Sequence, residues 1–251
     1  MSASISVILP IRGDGAYLGT ALASLGRQAT LVDELIVIDD GMTEAAKAAL
    51  DGHQHCVGQV RVIEGAQAGP AAARNRGLAV ATGDLVGFLD DDDAWPDNKL
   101  LLQMPFLASH PDTEVVGGRI RWFSAWDAAA HAPAMTDDVQ DVVHVNLGAY
   151  LMRNSVFNTI GVFDESHVFA EDVDFILRLT DREVPFSILD TVTLYYRRHS
   201  ASMTAAQSPR EQADFRRALF RSLGRNRGKR SEGLRSLSAR LVPAGDSAHG
   251  H

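Results

Sequence analysis

The chain carries one cysteine, Cys56, in 251 residues. A single thiol excludes an internal disulfide and any cysteine-built metal cluster. His53 and His55 stand beside it, but the short Gly52-His53-Gln54-His55-Cys56 stretch reads as a surface connection, because zinc sites need a fuller ligand set at defined spacing. Long apolar runs are also missing. Ile5 to Ile11 and Leu35 to Ile38 have strand length and end at turns or charges, so no transmembrane span is expected. The first strand follows Met1-Ser2-Ala3-Ser4 directly, without a basic region or an apolar segment of signal-peptide form. The expected location is therefore cytoplasmic.

Hydrophobic residues make up 45% of the chain and charged residues 22%, enough for one large α/β domain or one domain with a tail. The net charge of −8 is unevenly spread. Between Arg210 and Arg240 ten basic residues face three acids, a local charge of +7, which leaves −15 for the remainder. This asymmetry predicts an acidic globular body and a basic helical appendage, divided near residue 205.

Along the body the apolar pattern alternates between two periods. Ile5 to Ile11, Leu35 to Ile38, Val60 to Ile63 and Leu85 to Leu89 read as strands, while Leu18, Leu22 and Leu25 share a helical face and a second helix is expected over 71–81. Such alternation predicts a mainly parallel sheet, in which ligands bind at the carboxyl ends of the strands. Asp39-Asp40 ends the second strand and Asp90-Asp91-Asp92-Asp93 the fourth, so both groups are expected at one crevice.

Four adjacent carboxylates raise one another's pKa values unless a cation sits among them. Magnesium or manganese suits such oxygen ligands and completes its shell with water and phosphate oxygens. An acidic turn capping a helix near Pro96 is the alternative for the run taken alone.

The order Val7-Ile8-Leu9-Pro10, Ile36-Val37-Ile38-Asp39-Asp40-Gly41, Gly69-Pro70-Ala71-Ala72-Ala73-Arg74-Asn75-Arg76-Gly77 and Phe88-Leu89-Asp90-Asp91-Asp92-Asp93 resembles the nucleotide-binding half of a family 2 glycosyltransferase. Gly161-Val162-Phe163-Asp164-Glu165, Glu171-Asp172-Val173-Asp174 and Tyr196-Arg197-Arg198-His199 resemble its second half. The resemblance spans about residues 4 to 204 and implies a GT-A fold: a Rossmann-like, mainly parallel sheet flanked by helices, here with a basic C-terminal helical appendage. It implies a nucleotide-binding half at 1–95 and an acceptor-binding half at 96–204. An amphipathic appendage at 205–242 and a disordered tail at 243–251 are expected beyond them.

The resemblance also assigns roles. Asp39 or Asp40 would receive the base or ribose, with Pro10 and Arg12 beside it and Arg74 reaching toward the base. Asp90 and Asp91 would lie near the ribose or a metal-bound water, Asp92 would bind Mn2+ or Mg2+, and His199, with Arg197 or Arg198, would add a ligand or phosphate donors. Asp172 is the expected general base, beside Glu171. Glu171, Gly117, Gly118 and Trp126 would face the donor sugar or acceptor, and the segment from Ser124 to Asp141 reads as a mobile loop near the acceptor, of a length that suits a lid. Two departures from the family pattern stand out: Trp95 and Pro96 are adjacent, which leaves the metal-facing aspartate open by one position, and Pro10-Ile11-Arg12-Gly13 replaces the usual aromatic-Asn pair.

The implied activity is inverting transfer of a sugar from a nucleotide-diphospho sugar, with UDP the expected carrier, to a hydroxyl on a glycan or lipid-linked saccharide. No Gln-x-x-Arg-Trp segment accompanies it, which argues against processive synthesis. A nucleotidyltransferase making a sugar nucleotide and a catalytically silent sugar-nucleotide-binding module are the alternatives. The amphipathic appendage suits the inner face of the cell membrane, a second subunit or the acidic body itself. Nucleic acid is not an expected partner, because the basic segment lacks interleaved aromatics for stacking on bases.

Overall fold

The structure, a computed structural model, describes residues 3–28, 32–53, 57–200, 209–225 and 241–242. The expected tail at 243–251 and part of the appendage lie outside these residues. The first half is built as the apolar pattern requires. Strand β1 (Ile5–Gly13) lies between β2 (Glu34–Met42) and β4 (Leu85–Phe88), with β3 (Gln59–Glu64) outside β2, all parallel. Ile5, Val7, Ile8, Leu9, Ile36, Val37 and Ile38 are fully buried, the pattern of strands covered on both faces. Helices α1 (Leu18–Gly26), α2 (Glu44–Asp51) and α3 (Pro70–Leu78) make the connections.

The sheet continues into the second half in the order β11 (Leu241–Val242), β10 (Phe186–Arg197), β5 (Val115–Phe123), β9 (Leu151–Arg153), β4, β1, β2, β3. Helix α4 (Lys99–Ser109) leads from β4 into β5 (Val115–Phe123), which pairs in parallel with β10 (Phe186–Arg197). Between β5 and β4 runs the short β9 (Leu151–Arg153), antiparallel to both. Thus β1, β2, β4, β5 and β10 point the same way and their carboxyl ends share one edge. Strand β11 (Leu241–Val242) extends the sheet beside β10.

The expected lid differs from its reading. Residues 124–141 contain a two-stranded ribbon, β6 (Trp126–Asp127) with β7 (Ala132–Pro133), and lead into β8 (Gln140–Val142) on β5. Asp127 closes the ribbon's turn by accepting from the Ala129 and Ala130 amides, and a forked Arg121–Asp141 pair ties β8 down. Strands of two or three residues are too short to register as a period.

The two halves are joined by aromatic packing under the acidic strand end. Phe88, the last residue of β4, meets Phe163 edge-on at 5.4 Å, and Phe163 lies 5.0 Å from Phe175 of α6 (Glu171–Asp181). Phe157 of α5 (Val156–Ile160) completes the cluster. Each such ring contributes about 1.5–3 kcal/mol by burial, with about 0.5–1.5 kcal/mol more for each ring pair. Asn75 of α3 adds two hydrogen bonds of 2.9 Å to the backbone of Phe163.

Helix α7 (Pro209–Arg225) packs on α6 with an inverted face. Asp214, Ala218 and Ser222 are buried, whereas Phe215, Phe220 and Leu223 point outward. Arg221 pairs with Asp164 and Arg225 with Asp181, so the helix docks on the acidic body through its charges, while Arg217 pairs with Asp214 of the same helix.

Helix α3 approaches β1 closely because residue 77 is glycine: a Cβ there would lie 2.5 to 3.1 Å from three carbons of Ile8. Alanine in a helix interior normally gains about 1 kcal/mol over glycine. Here overpacking of about 1–3 kcal/mol opposes that gain. Gly77→Ala is expected to lower the unfolding midpoint in urea, and adding Ile8→Ala is expected to cost less than the sum of the single changes.

Candidate active site

At the end of β4 the four consecutive carboxylates are distributed among four partners. Asp90 binds Arg74 at 2.6 Å, Asp91 accepts from the backbone N–H of Arg12, Asp92 lies 3.0 Å from His199 Nε2, and Asp93 accepts from the backbone N–H of Arg197 at 2.9 Å. Two backbone bonds between Ala94 and Tyr195 lock the turn to the end of β10. Residual repulsion remains. Burial, then the charges of Asp92 and Asp90, push Asp91 up to about 7. Burial and Asp90 also raise Asp92 against the opposing effect of His199, and burial with its neighbours' charges raises Asp93.

Among the described residues no group of three or more histidine, cysteine, aspartate or glutamate side chains is arranged to hold a metal. The donors present, an Asp92 oxygen beside His199, fit an ion that needs only one or two protein ligands and takes water and phosphate oxygens for the rest, as magnesium and manganese do.

Across the crevice α6 begins with Glu171 and Asp172. The preceding Ala170 takes a left-handed conformation (φ 62°, ψ 22°) that turns the chain into the helix. Acidic residues in a first turn are stabilised by the helix dipole. Arg74 binds Glu171 at 2.5 Å through Nη1 and Asp90 at 2.6 Å through Nη2. Arg74, expected to reach toward a nucleotide base, here links two carboxylates, and Glu171 is buried within that link. Gly69 (φ 102°) followed by Pro70 at the first helical position starts α3 at the register that aims Arg74 inward.

Asp172 is partly exposed, and one oxygen accepts from the Val173 amide at 2.7 Å. Burial and the adjacent Glu171 charge push it up to about 7, with Arg74 opposing. A carboxylate with such a pKa can take up a proton near neutrality. Tyr150, unflagged by the sequence pattern, is buried close enough to Asp172 for that charge, added to desolvation, to raise the phenol.

The other expected site residues divide. Asp39 is partly exposed and accepts from the Gly41 and Met42 amides at the end of β2, whereas Asp40 is buried and anchors the loop before α3 through the Gln67 amide. Pro10 lies on β1 beside Ile38, and Arg12 follows Ile11, the partner of Asp39, where the register shifts. Gly117 and Gly118 are closely packed: a Cβ on Gly117 would meet the Tyr150 ring, and one on Gly118 the Thr193 side chain. Trp126 stands with Phe123 and Tyr17 around the buried Arg197 guanidinium, 4.2 to 5.8 Å from the ring centres. Arg197 is therefore a caged structural cation, and Arg198 is the exposed one. That cage carried no sequence signal beyond the separate aromatics.

The sheet order and the acidic edge define a class. The GT-A fold is shared with Staphylococcus aureus TarS 1-349 in complex with UDP-GlcNAc (TM-score 0.69, 20% identity, covering 88% of this chain and 66% of that one). It is shared equally with the mannosyltransferase PcManGT from Pyrobaculum calidifontis in complex with GDP-Man and Mn2+ (TM-score 0.68, 16% identity, 89% and 65%). The chain belongs to glycosyl transferase family 2, whose sequence model matches residues 6–170. It is 25% identical over 217 residues to the uncharacterized glycosyltransferase EpsJ of Bacillus subtilis strain 168, covering 80% of this chain and 62% of EpsJ. The chain spans 27% to 62% of the length of the first curated relatives it matches.

Two outcomes test this geometry. Arg74→Ala leaves the buried Glu171 without its cation and frees the half-exposed Asp90 beside it, and is expected to cost about 3 kcal/mol in denaturant unfolding, the low end for a broken buried pair because water screens Asp90, with Arg74→Lys recovering part because an ammonium lacks the fork. For Asp172 the folded pKa of about 7 lies above the ordinary 3.8. Its protonated form stabilises the fold, and that stability is lost as pH rises between these values. Asp172→Asn is therefore expected to match the wild type in thermal stability near pH 4 and to exceed it increasingly up to pH 7, with a constant margin above.

Proposed function

We propose that the protein is a metal-dependent, inverting glycosyltransferase moving a sugar from a nucleotide-diphospho sugar, a UDP-sugar in the first instance, to a hydroxyl of a glycan or lipid-linked saccharide. One observation carries the reading: Asp172, with a pKa near neutrality, faces the acidic strand end across a single charge network, Asp90–Arg74–Glu171. Membership of family 2 and the UDP-GlcNAc bound by TarS support the donor class.

In this reading the acceptor oxygen attacks the anomeric carbon from the face opposite the diphosphate. Its proton passes to Asp172 as the new C–O bond forms, and the bond from the anomeric carbon to the diphosphate oxygen breaks, that oxygen leaving with the electron pair. Asp39 receives the base or ribose, since Asp40 is buried in its loop. Asp92 and His199 would hold Mn2+ or Mg2+, and a bound ion would supply Lewis-acid stabilisation to the diphosphate. Arg198, exposed beyond β10, is the remaining cation for the phosphates.

Thermal unfolding with UDP, GDP, dTDP and CDP, each with and without manganese, tests the donor site. UDP with manganese is expected to stabilise the protein by about 2.7 kcal/mol at a hundred times its dissociation constant, and Asp92→Ala is expected to abolish the manganese dependence. Asp172→Asn is expected to keep that stabilisation while turnover falls about 10²–10⁴-fold. No shift with any nucleotide, or full turnover in Asp172→Asn, would overturn the reading.

A further inference from the structure

Helix α7 lies beyond the residues matched by the family model and outside the strand-end crevice, yet its polar contacts converge on the segment that delivers Glu171 and Asp172. Asp214 is 2% exposed. Its Oδ2 accepts from the amides of Val168 at 3.0 Å and Phe169 at 3.2 Å, while Arg217 holds its Oδ1 at 2.9 Å and donates to the Ser166 carbonyl at 3.1 Å. Arg221 reaches Asp164 and stands 3.3 Å from Nε2 of the fully buried His167. At the far end Ser222 and Arg225 bind Asp181, at the close of α6. The helix therefore grips α6 at one end and the segment 164–169 at the other.

That segment needs holding. Ala170 follows it in a left-handed conformation, which for a residue with a side chain costs about 1–3 kcal/mol and persists only where the surroundings impose it. A buried amide without a partner is also unfavourable, and a carboxylate accepting from two amides forms charge-assisted bonds about twice as strong as neutral ones. We infer that Asp214 is a positioning residue: through the Val168 and Phe169 amides it fixes the entry to α6 and so the place of the Asp172 carboxylate, three residues on. This rests on the proposed role of Asp172 as base. Its consequence for catalysis is steep, because a misplacement of about 1 Å can cost about a hundredfold in rate.

The test uses the full chain with four variants: Asp214→Ala, Asp214→Asn, Ser222→Ala and Asp172→Asn. Amide hydrogen exchange at Val168 and Phe169 and the titration of the Asp172 carboxyl by carbon NMR need no substrate. Release of UDP from UDP-N-acetylglucosamine with manganese reads turnover. In Asp214→Ala both amides are expected to lose protection, the Asp172 midpoint to move by about one pH unit or more, and turnover to fall about tenfold or more, with UDP binding within about twofold of wild type. Asp214→Asn keeps an acceptor oxygen and the shape of the side chain and should restore most of each. Ser222→Ala loosens α7 only at Asp181 and should lower stability without moving the titration. A wild-type Asp172 titration in Asp214→Ala, or the same displacement in Ser222→Ala, overturns the positioning alone. Unimpaired turnover in Asp172→Asn removes the base assignment, and the positioning of a base with it.

Discussion

Everything at the strand-end edge follows from one constraint: four carboxylates in a row cannot share one environment. Bare, they would repel one another and lose solvation at the end of a buried strand. The fold sends each to a different element, to the Arg74 side chain on α3, to an amide of β1, to the imidazole after β10 and to an amide of β10. Two of the four partners are backbone groups, which makes the compensation depend on strand register rather than on side-chain identity. Because β1, β4 and β10 run the same way, all these partners reach the same edge.

Arg74 carries that constraint across the molecule. Its fork spans the acidic turn and the start of α6, so the charge state at one wall of the crevice is felt at the other. The aromatic cluster of Phe88, Phe157, Phe163 and Phe175 lies beneath, joining the same two walls by apolar contact. A buried ion pair alone is weak evidence for stability, since desolvation offsets much of its attraction. Set above a packed aromatic layer, it orients rather than cements.

Much of this was legible in the chain, and what was not has a common cause. The alternation of strand and helix, the carboxylates at strand ends and the placing of Asp172 at a helix start are local patterns, and they emerge as read. Helix α3 ends at Leu78, short of the expected 81, and the apparent lid holds strands too brief to show a period. The commitment of Arg74 to two carboxylates, the filling of Gly117 and Gly118 by Tyr150 and Thr193, and the caging of Arg197 are tertiary facts with no sequence period behind them. Helix α7 shows the limit most clearly. Its apolar residues look like the buried face, yet Asp214 and Ser222 have partners waiting inside, and the helix turns its phenylalanines outward.

The separation in sequence between the acidic run and its partners bears on how the protein is made. Asp93 and Asp92 meet the Arg197 amide and the His199 ring across 104 and 107 residues. At synthesis rates of about 5–20 residues per second, the ribosome exposes the acidic turn roughly 5–20 s before those partners exist. During that interval the nascent chain has the strands β1 to β4 and the partners of Asp90 and Asp91, but not those of Asp92 and Asp93. A nascent chain that stops short of β10 therefore carries most of the sheet and the Asp90–Arg74–Glu171 link, but leaves Asp92 and Asp93 without their partners.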